Sequence, residues 1–170
     1  MSQNWICSPH DVPCLESEIV GGKGAGLARL TQWGAHVPPF GVLTTQGTLN
    51  ENTIKQIIKD AQAWNCTRVA VRSSMAMEDG SQDSYAGIFE SVLNVPLEAQ
   101  ALENAIKHCL ESTRSERARD YTRARGLSEY TSHAAAVVIQ KMINPLFAGV
   151  AFSRAPTGNS ALVLIEATQG

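Results

Sequence analysis

The chain has no CxxC pair and no cysteine–histidine run at zinc spacing; Cys7, Cys14, Cys66 and Cys109 stand apart. That excludes a thioredoxin-like redox motif and a zinc ribbon, and it leaves four free thiols in a reducing compartment as the expectation. Long apolar runs are also missing. The longest, AAAVVI at 134–139, is far short of the roughly 20 residues that a membrane helix needs. The opening MSQNWICSPHDVP has no basic region followed by an apolar one, so the expected location is cytoplasmic and no membrane partner is expected. Nor is there an excess of one charge: 14 Lys and Arg against 16 Asp and Glu give a net charge of −2. Nucleic acid or an acidic membrane would favour a strongly basic face, so neither is expected as a partner. Walker A, GxGxxG, HExxH and GxSxG are all absent, which removes the commonest nucleotide, zinc-protease and serine-hydrolase signatures.

What the sequence does hold is a globular composition, 44% hydrophobic and 18% charged over 170 residues. That length suits one domain, or one domain split into two lobes. Glycine is concentrated in GGKGAGLARL at 21–30, where four glycines surround Lys23. Beyond Gly26, Leu27, Leu30 and Trp33 recur at helical spacing up to Gly34 and Pro38-Pro39, which puts the lysine at a helix N-terminus. Glycine-exposed amides at such a terminus, with a lysine among them, suggest a phosphate cradle. The other reading is a flexible turn carrying a solvated lysine.

GVLTT (41–45) predicts a short strand, and Ile54, Ile57, Ile58, Ala61 and Trp64 predict an amphipathic helix. RVAV (68–71) reads as a buried strand that ends in Arg72-Ser73-Ser74. Residues 75–87 are loop-like, and 98–125 predict one or two helices whose arginines alternate with Glu111, Glu116 and Asp120 as a solvated, ion-paired face. AVVIQKM (136–142), GVAFS (149–153) and ALVLIE (161–166) predict three strands, with a turn at RAPTGNS. A planar guanidinium at a strand end can hold two phosphate oxygens at once. Arg72, the hydroxyl of Ser73, Lys23 with Gly24, and a close-approach glycine at Gly87 together look like parts of a triphosphate site. Against this, Arg72 could pair with Glu78 or Asp79, and Gly87 could serve only a turn.

Three blocks in this order, GGKGAGLARL…VPPFGVLTT, VAVRSSMAMEDGSQDSYAGIFESVLNV and AVVIQKMINPLFAGVAFSRAPTGN…LVLIEATQG, resemble the N-terminal nucleotide-binding domain of the phosphoenolpyruvate synthase and pyruvate phosphate dikinase family. Rifampin phosphotransferase shares that domain. The blocks span nearly the whole chain. The resemblance implies an α+β, ATP-grasp-like domain of two α/β lobes holding ATP between them, the first over about 1–130 and the second starting at about 131–170. It implies that Lys23 and Arg72 contact phosphates and act in catalysis. It places Gly87 and Ser91 in the family's glycine flap, and sets the adenine against Gln140 to Ile143, with Met142 between.

The sequence departs from the family pattern in reading PPFG where the family has PPGF, and in a short span between TT and VAVRSS. The family's magnesium ligands, phosphohistidine domain and pyruvate-binding barrel follow the point corresponding to Gly170, so the chain is expected to be a C-terminally truncated domain with no metal ligands of its own and, alone, inactive. TSHAA (131–135) mimics the phosphohistidine motif at His133 but lacks the preceding glycine pair and reads as a turn; His10, His36 and His108 are expected on the surface or in packing roles. The whole enzyme would use Mg-ATP to phosphorylate a histidine and then pass the phosphoryl group to pyruvate. Two alternatives stay open: a specialised-metabolism phosphotransferase with another acceptor, and a non-catalytic nucleotide-binding module.

Overall fold

Val137, Val138 and Ile139 are consecutive and each fully buried, and successive side chains of a strand point to opposite faces. The strand that carries them must therefore be covered on both sides. The computed structural model, which describes residues 4–76, 90–124, 135–152 and 162–170, has that arrangement. Five strands, β1 (Trp5–Ile6), β2 (Phe40–Leu43), β3 (Arg68–Ser74), β4 (Ser91–Pro96) and β5 (Ala136–Lys141), form one sheet in the order β1-β2-β5-β3-β4. All its pairings are antiparallel.

Helix α1 (Ser17–Gln32) lies on one face, where Val20, Ala25 and Ala28 meet Phe40, Val42 and Val138. On the other face, α2 (Glu51–Gln62) and α3 (Ala99–Ser112) bring Ile54, Ile57, Leu102 and Ile106 against Val69, Val71 and Ile139. Burying each such side chain fully contributes about 1.5–3 kcal/mol. The start of α2 is fixed locally, since the Asn50 side chain accepts the Thr53 N–H at 3.0 Å and so satisfies one orphan amide of the first turn. A separate helix, α4 (Glu116–Ala124), follows α3, so residues 98–125 form two helices. The charged positions Glu111, Arg114, Glu116, Arg117, Arg119 and Asp120 are exposed. Past the five-stranded sheet, β6 (Phe147–Phe152) and β7 (Leu164–Gln169) form a two-stranded antiparallel ribbon. The whole is an α+β architecture.

Three sequence expectations need correction. The glycine-rich helix starts at Ser17 and not beyond Gly26, with a break at Gly21. Its buried face is made of Val20, Gly24, Ala25 and Ala28, whereas Leu30 is 44% and Trp33 78% exposed. The last strand begins at Leu164, three residues after the start of ALVLIE. The short span between TT and VAVRSS holds α2, and all four cysteines are free.

Candidate functional site

The site is built on β3 and β5 beside α1, the end of β3 lying against the start of β5 and the end of β5 against the start of β3. Gly21 has φ +70° and ψ 169° and divides α1 in two; positive φ is natural for glycine and costly for other residues. The second helical segment starts against the end of β3. The Gly22 N–H donates to the Met75 carbonyl at 2.8 Å, and the Gly24 N–H donates to Ser74 Oγ at 3.1 Å. Ser74 Oγ in turn donates to the Val20 carbonyl at 2.9 Å. The serine thus caps the new helix from 50 residues away and closes the break in the old one. A Cβ on Gly24 would stand 3.3 Å from Val42 Cγ2, so the missing side chain lets the helix lie close on the sheet.

This changes the meaning of the glycine stretch. Two amides that the sequence suggested for a phosphate are already engaged by the protein, and Gly24 serves packing. What the turn does is hold Lys23, half-buried in the first turn of the second segment, near the end of β3 that carries Arg72.

Along β3 the faces alternate. Arg72 pairs in register with Val138 on β5 and with Ser91 on β4. An open groove of about 530 Å³ runs over this face, and Arg72, Ser91, Gln140, Met142 and Ile143 all line it. Five of the candidate binding residues are therefore brought together, and the volume lies in the usual range for small-molecule sites, about 300–1,000 Å³. Ser73 is not among them. Its hydroxyl donates to the Glu90 carbonyl at 3.3 Å, on the α3 side of the sheet. Gly87, Glu78, Asp79 and His133 lie outside the described residues.

Among the described residues the groove lining contains no carboxylate and Arg72 has no anionic partner. Its floor is mixed. Ala70 and Leu27 are apolar, and Gln140 is almost fully buried with Nε2 donating to the Pro38 carbonyl at 3.3 Å. Beyond β5 the chain is fixed by the Lys141 N–H donating to the Pro39 carbonyl at 2.9 Å and the Met142 N–H donating to the Arg68 carbonyl at 3.2 Å. A cation at one end and an apolar wall edged by main chain at the other suit a ligand with an anionic head and a flat, heterocyclic tail.

Sequence reasoning missed Ser74 and His36. A period-two reading of Arg72-Ser73-Ser74 marks Ser74 as the serine on the arginine's face. His36 reaches the groove edge only because the end of α1 packs beside β5, for which the local sequence carries no signal. His10 is exposed, and His108 Nε2 lies 3.5 Å from Glu90 Oε2 on the far side.

Fold and groove together define an α+β domain with an open, arginine-bearing groove across its central strands. Residues 48–170 match the family described as pyruvate phosphate dikinase, AMP/ATP-binding domain, and the chain belongs to that family. It is similar to the phosphoenolpyruvate synthase of Aeropyrum pernix, at 38% identity over 203 aligned positions covering 89% of this chain and 24% of that protein. It also resembles an uncharacterised phosphotransferase of Bacillus subtilis (29% identity; 91% of this chain, 22% of that one) and a rifampicin phosphotransferase of Streptomyces sviceus (36%; 65% and 13%). The chain thus spans less than a quarter of the length of these relatives. An alignment of 203 positions against 170 residues means that the Aeropyrum protein carries residues this chain lacks. The matched segment includes Arg72, Ser91 and the β5 end but not the glycine stretch at 21–30.

Proposed function

We propose that the groove binds ATP, with the adenine against Gln140–Ile143 and the phosphates toward Arg72 and Lys23, as the nucleotide-binding part of a phosphoenolpyruvate-synthase-like phosphotransferase. The observation that carries this reading is Arg72: a half-buried guanidinium near the end of a buried strand, in a groove that has no carboxylate among its described lining residues. Holding a cation there is costly unless an anion arrives to meet it. The ATP-grasp-like two-lobe arrangement belongs to the same proposal, with the five-stranded sheet as part of the first lobe, which draws β5 (Ala136–Lys141) across the expected boundary at about 130–131, and the β6–β7 ribbon as part of the second.

ATP supplies the phosphoryl group when bound. The chain's own residues position it: Arg72 gives a planar pair of donors, Lys23 a point charge, and Ser91, across from Arg72 in register, a hydroxyl. In phosphoryl transfer such positioning and charge neutralisation carry most of the catalysis. Magnesium belongs to the same proposal; among the described residues no group of three His, Cys, Asp or Glu could hold it. The acceptor we propose is a histidine of the whole enzyme and then pyruvate, on the strength of the relatives named phosphoenolpyruvate synthase; a rifampicin phosphotransferase is among the relatives as well.

The test is calorimetric titration of ATP into the protein and into Arg72→Gln. A loss of at least about tenfold in affinity, with unchanged circular dichroism, is expected for removing a charge-assisted contact. Equal affinity in the two proteins would overturn the assignment of Arg72 to the phosphates.

A further inference from the structure

A second cavity, of about 590 Å³, opens behind the same segment, and Lys141, Met142 and Ile143 line both it and the front groove. Its remaining walls are Gln62, Asn65, Cys66, Thr67, Arg68, Asn94 and Asn144. Among the described residues, two cations and four side-chain amides meet there without a carboxylate, in a protein whose net charge is −2. Local charge of this sign concentrates anions. Both cations are held in place: Arg68 Nη1 donates to the Asn94 carbonyl at 2.6 Å, and Lys141 Nζ donates to the Trp64 carbonyl at 2.8 Å. Each uses one donor in this way, and a guanidinium has five and an ammonium three. Among the described residues neither cation meets an acid.

The backbone adds a second observation. Among the described residues, Asn65 and Asn94 are the non-glycine residues with positive φ, at 52° and 58°, and both line this cavity. Unusual backbone of this kind gathers at ligand sites. It is kept here at the turn after α2 and at a register shift inside β4, which are distant in sequence and join at one pocket.

We infer that this rear cavity is a second anion site, taking a small molecule that carries a phosphate group between Arg68 and Lys141. The space exceeds what a lone phosphate fills, so a polar organic portion is accommodated beside Asn65, Asn94 and Asn144. Occupancy is felt in front, because the Met142 N–H is bonded to the Arg68 carbonyl and Met142 lines the front groove. That coupling rests on the proposed ATP reading, but the site itself does not.

The experiment follows backbone amide resonances of the protein at low salt during titration with inorganic phosphate and, separately, with glycerol phosphate, against chloride at matched ionic strength. Saturable shifts at Cys66, Arg68, Asn94 and Asn144 are expected with both probes, tighter with glycerol phosphate, and about tenfold weaker or lost in Arg68→Gln. Tighter binding of inorganic phosphate would assign the site to the free ion instead of a phosphorylated metabolite and overturn that part. Arg72→Gln should leave these shifts unchanged, so failure of the ATP reading and failure of this one are separable. If Arg68→Gln does not fold, Asn144→Asp, at an exposed wall residue, should weaken binding by adding a negative charge. Absence of saturable shifts at these residues, shifts confined to the Arg72 groove, or full binding by the variants would overturn the inference.

Discussion

Gly21 and Ser74 approach so closely that a methyl group on the glycine would fall inside both the hydroxyl and the carbonyl of the serine. The contact joins the break in α1 to the end of β3 and sets Lys23 relative to Arg72. Gly21→Ala must both adopt φ +70° and clear Ser74, and each demand costs about 1–3 kcal/mol. Chemical denaturation should show a loss of at least about 2 kcal/mol. Ser74→Ala, which leaves the Val20 carbonyl and the Gly24 N–H without this partner, should lose about 1–3 kcal/mol.

The faces of the sheet make a contrasting prediction. Leu102 and Ile57 are fully buried between α2, α3 and the sheet, remote from the groove. Leu102→Ala should destabilise by about 2–5 kcal/mol while folded protein keeps its nucleotide affinity. A loss of affinity in proportion to anything other than the folded fraction would show that the two faces are not independent.

Stability should also fall at alkaline pH. Burial, with Asp60 nearby, pushes the Cys7 thiol up to about 11, and burial with Asp11 does the same to Cys14, both from an ordinary 9.0. Cys14 Sγ also donates to the Ser8 carbonyl at 3.0 Å, a bond that needs the proton. Between pH 9 and 11 the unfolded thiol has lost its proton and the folded one keeps it. The folded state then binds more protons, and stability declines as pH rises through that window. Cys14→Ala should show a shallower decline in urea midpoints measured from pH 8.5 to 11.

How legible all this was in the sequence depended on range. β3 and β5 read clearly because VAV (69–71) and AVVI (136–139) are unbroken apolar runs, buried on both faces, and α2 because Ile54, Ile57 and Ala61 keep a helical period. The glycine stretch was misread because its glycines serve contacts with Ser74, Met75 and Val42, which are distant in sequence, and no local pattern announces them. Leu30 and Trp33 fit a helical period yet stay exposed, Leu30 at the rim of the front groove. At the site, Arg72, Ser91, Gln140, Met142 and Ile143 were recoverable from the resemblance to the family. Ser73 follows Arg72 directly in the sequence, but alternation along β3 turns its hydroxyl to the Glu90 carbonyl on the other face of the sheet.

The β6–β7 ribbon carries exposed apolar side chains, Phe147 at 74% and Ile165 at 69% among them, and its strands pair with no other described strand. Apolar surface and open edges of this kind favour association. Sedimentation should show concentration-dependent self-association that falls in Val150→Lys. The new lysine stands opposite Glu166, so the variant should lose no stability and gain up to about 1 kcal/mol from the cross-strand pair.

The most direct test of the central claim is an ATP titration followed by the backbone amide resonances of the folded protein. Binding in the groove predicts saturable shifts at Ala70, Arg72, Ser91, Gln140 and Met142, with Leu102, Ile106 and Cys109 on the opposite face unmoved. Shifts centred on the α2–α3 face, or none at ATP concentrations in the millimolar range, would contradict it.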